Sequence, residues 1–236
     1  MKITRWHFDE YQQIGRDYTS PEEVQVYDES HAQFRDIAKE NNEALDCLKV
    51  SPGTVLLDIG CGTGTFAIES ARRGLDVHAA DVSKAMLAYA KDKAKGCDIV
   101  FHNAGFLTLE MAHESVDLIT TTFAFHHLPD FWKGIALKRL FRMLKPSGRL
   151  YIRDVILEED DALENIARLV EHQELMGGDF LREDAEGHFR EENSTYDWVM
   201  DGLLSRAGFS ILMKTFDRGV LGTYICRKTV QEGRGL

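Results

Sequence analysis

The chain has 236 residues, 44% of them hydrophobic, which suits one large α/β domain with a sizeable core rather than a disordered chain. Its 28 Lys and Arg stand against 39 Asp and Glu, a formal net charge of −11. That balance repels a phosphate backbone, so nucleic acid is not an expected partner.

Taken in chain order, residues 21–48 show helical spacing, with Val24, Tyr27, His31, Phe34, Ile37, Ala38, Leu45 and Leu48 recurring three, four and seven apart. Ser51-Pro52-Gly53 ends that run, and a short apolar strand from Thr54 to Ile59 follows. Phe66 to Arg73 is an amphipathic helix stopped at Gly74. The alternation then repeats. Leu75 to Ala80 is a strand, Lys84 to Lys95 a helix closed by Gly96, and Ile99 to Asn103 a strand.

Val116 to Phe123 is continuously apolar or β-branched, the mark of a strand buried on both faces. Trp132 to Leu144 is a helix ended by Lys145-Pro146-Ser147-Gly148, and Arg149 to Val155 is a further strand. The rhythm predicts a Rossmann-like, mostly parallel sheet with helices on both faces. Residues 158–193 interrupt it with an acidic, mostly helical stretch broken at Gly177-Gly178. A helix from Tyr196 to Ala207 and the strands Phe209 to Phe216 and Val220 to Arg227 close the chain as an antiparallel hairpin on the sheet edge. Four segments result: a helical cap or lid over 1–48, a core over 49–157, a helical insertion over 158–195, and a closing helix and hairpin over 196–236.

Cys47, Cys61, Cys97 and Cys226 are scattered, with no C-x-x-C spacing and no look of a disulfide framework. The N-terminus lacks the apolar core of a signal peptide, and no apolar run approaches roughly 18 residues. A cytoplasmic protein with no membrane span is expected, as a monomer or a homodimer.

The first strand runs into Gly60-Cys61-Gly62-Thr63-Gly64, a strand–turn–helix junction where glycine permits positive φ and close approach of a ligand. A dinucleotide site would read G-x-G-x-x-G. Here the spacing is G-x-G-x-G with Asp58 two residues ahead, an acid that suits a ligand bearing an ammonium and a sulfonium better than a pyrophosphate. Asp81 ends the next strand, where a carboxylate accepts two hydrogen bonds from a ribose diol. The competing readings are a mere tight turn, and for Asp81 a helix cap, since Val82-Ser83 follow.

Leu56-Leu57-Asp58-Ile59-Gly60-Cys61-Gly62-Thr63-Gly64 resembles the first motif of class I S-adenosylmethionine-dependent methyltransferases, and Asp81 matches their acidic second motif. Phe123-Ala124-Phe125-His126-His127-Leu128-Pro129-Asp130 and Leu144-Lys145-Pro146-Ser147-Gly148-Arg149-Leu150 resemble their fourth-strand motif and their turn into the fifth strand. The resemblance implies a seven-stranded sheet with one antiparallel strand. It also implies S-adenosylmethionine as cofactor, methyl transfer as activity and S-adenosylhomocysteine as product. On the cofactor it places Asp58, Gly60, Cys61, Gly62, Gly64, Asp81, Val82, Met86, Ala104, Gly105, Phe106, Thr122 and Phe123, with Tyr27 from a recurrent pattern ahead of the first motif. One position departs. Where many relatives carry an Asp or Asn on the adenine amino group, this chain has Gly105, so the backbone at Gly105 and Phe106, or Asn103, would hold the base.

Candidates beyond the cofactor are His126, His127 and Asp154 for catalysis. A neutral imidazole can take a proton near pH 7, although the pair is common in resembling sequences with very different substrates, which favours local packing. Asp154 either orients substrate or caps a helix. A metal at two histidines needs a third ligand that the sequence does not identify, so no metal is expected. Tyr11, Tyr18, His127, Arg153 and His172 are candidate substrate contacts, with residues 1–20 expected to close over the cofactor. No Asn/Asp-Pro-Pro-Tyr follows the fourth strand, so a small-molecule acceptor is the expectation. The alternatives are a non-catalytic methyltransferase-like binding subunit and a nucleotide-dependent oxidoreductase.

Overall fold

Alternate residues of each central strand feed two different cores, and this period of two is what stacks helices on both sides of the sheet. The computed structural model describes residues 5–12, 20, 24–25, 27–28, 32 and 35–229. Strand β1 (Val55–Ile59) turns Leu57 and Ile59 to one face and Leu56 to the other. Likewise Ile119 and Leu118 of β4 (Val116–Thr122), and Leu150 and Tyr151 of β5 (Leu144–Leu157), divide between the two cores.

On one face lie α1 (Ile37–Leu48), α2 (Thr65–Arg72) and α3 (Lys84–Lys93), contributing Leu45, Leu48, Phe66, Ala67 and Leu87. On the other lie α4 (Asp130–Met143) and α6 (Asp197–Ala207), contributing Leu137, Leu140, Met200 and Leu204. Leu45, Leu56, Leu57, Leu118 and Leu137 are all fully buried. Truncating such a leucine to alanine costs about 2–5 kcal/mol.

The remaining strands are β2 (Asp76–Asp81), β3 (Ile99–Asn103), the two-residue β6 (Thr195–Tyr196), β7 (Phe209–Asp217) and β8 (Leu221–Lys228). Their order is β3-β2-β1-β4-β5-β8-β7, with β6 pairing β5. The first five pair in parallel, and β8 runs antiparallel to both β5 and β7. The expected hairpin is therefore present, with β8 inside and β7 at the edge. The short β6 adds an eighth strand to the seven expected.

Two expectations change. The helical run over 21–48 is not continuous: Arg35 and Asp36 leave the helix, and Asp36 caps α1 by accepting from Lys39 N at 3.0 Å. The calls on His31 and Phe34 lie outside the described residues. Residues 145–148 do not separate helix from strand. Pairing of β5 begins at Leu144, and the register with β4 shifts across this stretch, where Ser147 takes a φ of 62°. The insertion is helical with its break where expected: α5 (Ala162–Glu191) leaves helical geometry at Gly177 and Gly178. Its first half is pinned by Ala162 and Leu169 against Leu157 and Val220.

Candidate active site

Three strand ends build the floor of a cavity. At the end of β1 the chain turns through Gly60, Gly62 and Gly64, all at positive φ. Gly60 N and Cys61 N both donate to Ala80 O, at 2.8 and 3.0 Å, which ties the turn to the end of β2. A Cβ on Gly60 would lie 2.2 Å from Ala124 Cβ, whereas one on Gly62 would meet nothing within 4 Å. Gly60 is thus fixed by its neighbour after β4, while Gly62 borders open space in the cavity. Asp81 accepts from Gly62 N and from Ser83 N, each at 2.8 Å. The cap of α3 is supplied instead by Ser83, which accepts from Met86 N, so the capping role weighed for Asp81 falls to Ser83.

Asp58 and Asp81 are both buried and line this cavity. Burial raises the Asp58 carboxyl to about 7. A hydrogen bond from the Thr120 hydroxyl at 2.8 Å opposes the rise, and the Asp81 charge adds to it. Burial likewise raises Asp81, against the two backbone donors. The Cys61 thiol, pushed up by burial and then by both acids, stays protonated. Two buried acids at one cavity, held against the cost of desolvation, suit a cation or a donor-rich ligand.

The rim is made by segments distant in sequence. Tyr27 and Asp28 lie against the turn, with Asp28 accepting from Thr63 Oγ1 at 2.6 Å and pairing with Lys93. Phe123, just past β4, takes a φ of 51° and donates its N–H to Arg153 O at 2.8 Å. Its ring lies under the Arg35 guanidinium, 4.4 Å from the centroid, and Glu40 accepts from Arg35 and pairs with Arg153. Strain of this kind persists where surrounding contacts over-determine it.

Residues 5–12 form the opposite wall. Trp6 and Phe8 pack on Trp132, and Phe8 and Glu10 line the cavity. Glu10 is a residue the sequence did not single out. Both its carboxylate oxygens accept from Leu107 N, at 3.1 and 2.9 Å, and Oε1 also accepts from Thr108 Oγ1 at 2.6 Å. A Cβ on Gly105 would lie 2.5 Å from Glu10 Oε2. The missing side chain at Gly105 therefore clears room for a carboxylate arriving from the N-terminal segment.

The histidine pair divides. His127 lines the cavity, and burial together with the neighbouring His126 charge lowers it to about 4. His126 is turned the other way. Its Nδ1 bonds Asp154, and its Nε2 lies 2.9 Å from Glu192 Oε2, just past α5. Burial alone would lower His126, but the Asp154 and Glu192 carboxylates bring it up to about 9. Asp154 accepts from Phe125 N at 2.7 Å, His126 N at 3.1 Å and Val155 N at 2.7 Å. It caps the short 3₁₀ turn Phe125–His127 rather than the helix after it. Of the three residues expected at the catalytic centre, His127 alone is in the lining of the cavity, and His126 and Asp154 are not.

Among residues expected on the cofactor, Tyr27, Asp58, Gly60, Cys61, Gly62, Asp81, Val82, Met86, Gly105, Phe106, Thr122 and Phe123 line one cavity. Gly64 does not: a Cβ there would lie 3.0 Å from Ala90 Cβ, so its task is to bring α2 against α3. Ala104 also lies outside the lining, packed on the core. Asn103 is absent from the lining as well. Its amide nitrogen donates to Asp81 O and Val82 O, which ties the end of β3 to the turn after β2. Arg153 and His172 do not line the cavity, and neither does Tyr11, whose hydroxyl meets Thr108 Oγ1 at 3.2 Å. Tyr18 lies outside the described residues.

A parallel sheet with β8 inserted antiparallel, and a glycine turn flanked by two buried acids at the strand ends, define the class I methyltransferase fold and its nucleoside-binding edge. Residues 56–148 match the family described as methyltransferase domain. An uncharacterized methyltransferase of Geobacillus kaustophilus is 31% identical over 187 residues, 79% of this chain and 82% of that protein. One from Geobacillus thermodenitrificans is 30% identical over 207 residues, 88% and 90% of the two chains. The chain belongs to this family, the class I S-adenosylmethionine-dependent methyltransferases. The fold is shared with a SAM-dependent methyltransferase from Aquifex aeolicus at a TM-score of 0.63 and 21% identity, covering 89% of this chain and 99% of that one. It is shared equally with the [4+2]-cyclase SpnF, at a TM-score of 0.63 and 18% identity over 81% and 80% of the chains. Fold alone therefore does not fix the reaction.

Proposed function

We propose that this methyltransferase transfers its methyl group to a small-molecule acceptor, in a reducing compartment that suits its four free cysteines. The observation that supports the acceptor class is the cavity's lining, where Phe8 and Glu10 of the N-terminal segment join His127 and Leu128 from beyond β4 around a concave site of small-molecule dimensions. The net charge of −11 works against nucleic-acid acceptors in the same direction.

The residues present fit the cofactor. Gly62 leaves space for a ligand against the backbone, and the two buried acids are placed for its ammonium and its ribose diol. S-adenosylmethionine, when bound, supplies an activated methyl carbon. Asp58 offers a carboxylate to the ammonium, and Asp81 offers one to the ribose hydroxyls. Val82, Met86 and Phe106 give apolar walls to the base, and Glu10 accepts from the adenine amino group in place of the acid missing at 105. His127, neutral and weakly basic, orients the acceptor rather than deprotonating it; a base suited to neutral pH would titrate nearer 7. The chain's main contribution is then positioning and exclusion of water.

The test is turnover of labelled S-adenosylmethionine against fractionated metabolite pools, with protein and RNA fractions in parallel. Label entering a small-molecule fraction supports the reading. Label entering only macromolecules overturns it.

A further inference from the structure

We propose that His126, His188 and Glu192 form a binding site for one divalent transition-metal ion of the zinc class, immediately behind the cavity wall made by His127. One ligand atom from each residue lies within 4.8 Å of the other two, and all three side chains are largely buried. They come from two places in the fold. His126 sits on the 3₁₀ turn after β4, and His188 and Glu192 lie a helical turn apart at the end of α5.

The outer partners are those that metal-bound imidazoles use. A ligating histidine donates its second N–H to a carboxylate or a comparable acceptor, which fixes tautomer and ring orientation. Asp154 holds His126 Nδ1, leaving Nε2 toward Glu192. Ser194 Oγ lies 2.7 Å from His188 Nε2, leaving Nδ1 toward the same Glu192 oxygen. Glu192 Oε2 is the meeting point: it is buried, with His126 Nε2 and His188 Nδ1 at 2.9 and 2.7 Å, yet neither contact has the angles of a well-formed hydrogen bond.

Charge points the same way. A bound ion would displace the proton that Asp154 and Glu192 otherwise hold on His126, and the two carboxylates would then present two negative charges to a dication. Two histidines and one glutamate are a zinc ligand set that leaves a coordination position open. His127 lies beside the cluster, its Nδ1 4.0 Å from Glu192 Oε2, and also lines the cavity. An ion here would fasten the end of α5 to the methyl-transfer edge and hold the wall residue in place.

The full-length protein, stripped with a chelator, is titrated with Co(II) alone. The expected result is a visible ligand-field absorption that saturates at one equivalent and is bleached by Zn(II), with a rise in Tm when Zn(II) is added. His188→Gln should abolish the band. Ser194→Ala, which removes only an outer partner and leaves the buried pairs intact, should weaken Co(II) binding about 10-fold or more. No band in the unaltered protein overturns the proposal in favour of a metal-free ion-pair network. So does equal Co(II) affinity in Ser194→Ala and His188→Gln. Binding of S-adenosylhomocysteine is measured separately on the same samples, so the two results stand apart.

Discussion

Replacing Glu10 by glutamine separates two jobs that its carboxylate is placed to do. Three contacts at 2.6–3.1 Å join it to Leu107 N and Thr108 Oγ1, which fastens residues 5–12 to the loop after β3. The same group borders the cavity beside Gly105, where an adenine amino group needs an acceptor. Burial raises its pKa, against hydrogen bonds from Thr108 and Leu107, so ionisation is held by few donors and one more is welcome. A hydrogen bond to a charged group contributes about 1.5–3 kcal/mol, which corresponds to roughly 10- to 100-fold in Kd. Calorimetry of Glu10→Gln with S-adenosylhomocysteine should show that loss. The analogue whose purine lacks the amino group should bind the unaltered protein more weakly and lose little further in the variant. If both ligands weaken equally, Glu10 is only a latch and the adenine assignment is wrong.

Other outcomes follow from the same geometry. Asp58 titrates near 7 in the folded chain against 3.8 unfolded. An acid with a raised folded pKa adds stability at low pH and loses it as pH climbs from about 4 to 7, while a bound ammonium favours its charged form. Affinity for S-adenosylhomocysteine should therefore rise by up to about tenfold per unit between pH 5 and 7 and then level off, with proton release visible in buffers of differing ionisation heat. A pH-independent affinity would contradict this. Gly60→Ala places a methyl group 2.2 Å from Ala124 Cβ at a φ of 73°, so Tm should fall by an amount matching about 1–3 kcal/mol. An unchanged melt would refute the close approach. Removal of residues 1–20 should abolish cofactor binding while leaving the far-ultraviolet circular dichroism of the sheet and helices; full retained affinity would sink the lid.

Much of this was legible in the chain because it is local. The strand–turn–helix at 55–66, the acid ending β2 and the closing hairpin follow from neighbouring residues and from periods of two and 3.6. What escaped depends on distance along the chain. Glu10 reaches its partners across 97 residues, and nothing in its own surroundings marks it apart from other surface acids. Glu192 and His188 belong to the acidic 158–193 stretch, where nothing local sets them apart, and only tertiary contact brings them to His126. Asp154 was visible as a ligand-edge acid, but its capping of the preceding turn requires knowing that β4 and β5 are adjacent. Gly105 was singled out in the sequence, but the Glu10 carboxylate that its missing side chain makes room for lies on another segment.

The account rests on the acids of the glycine turn holding a sulfonium amino-acid nucleoside. Calorimetric titration of the full chain with S-adenosylhomocysteine and, separately, with NAD⁺ tests it directly, with Asp81→Asn as the paired variant. Binding of S-adenosylhomocysteine at one site, weakened at least about 10-fold in Asp81→Asn, with no heat from NAD⁺, is the predicted result. NAD⁺ binding as tight as that of S-adenosylhomocysteine, or an unchanged affinity in Asp81→Asn, would contradict it.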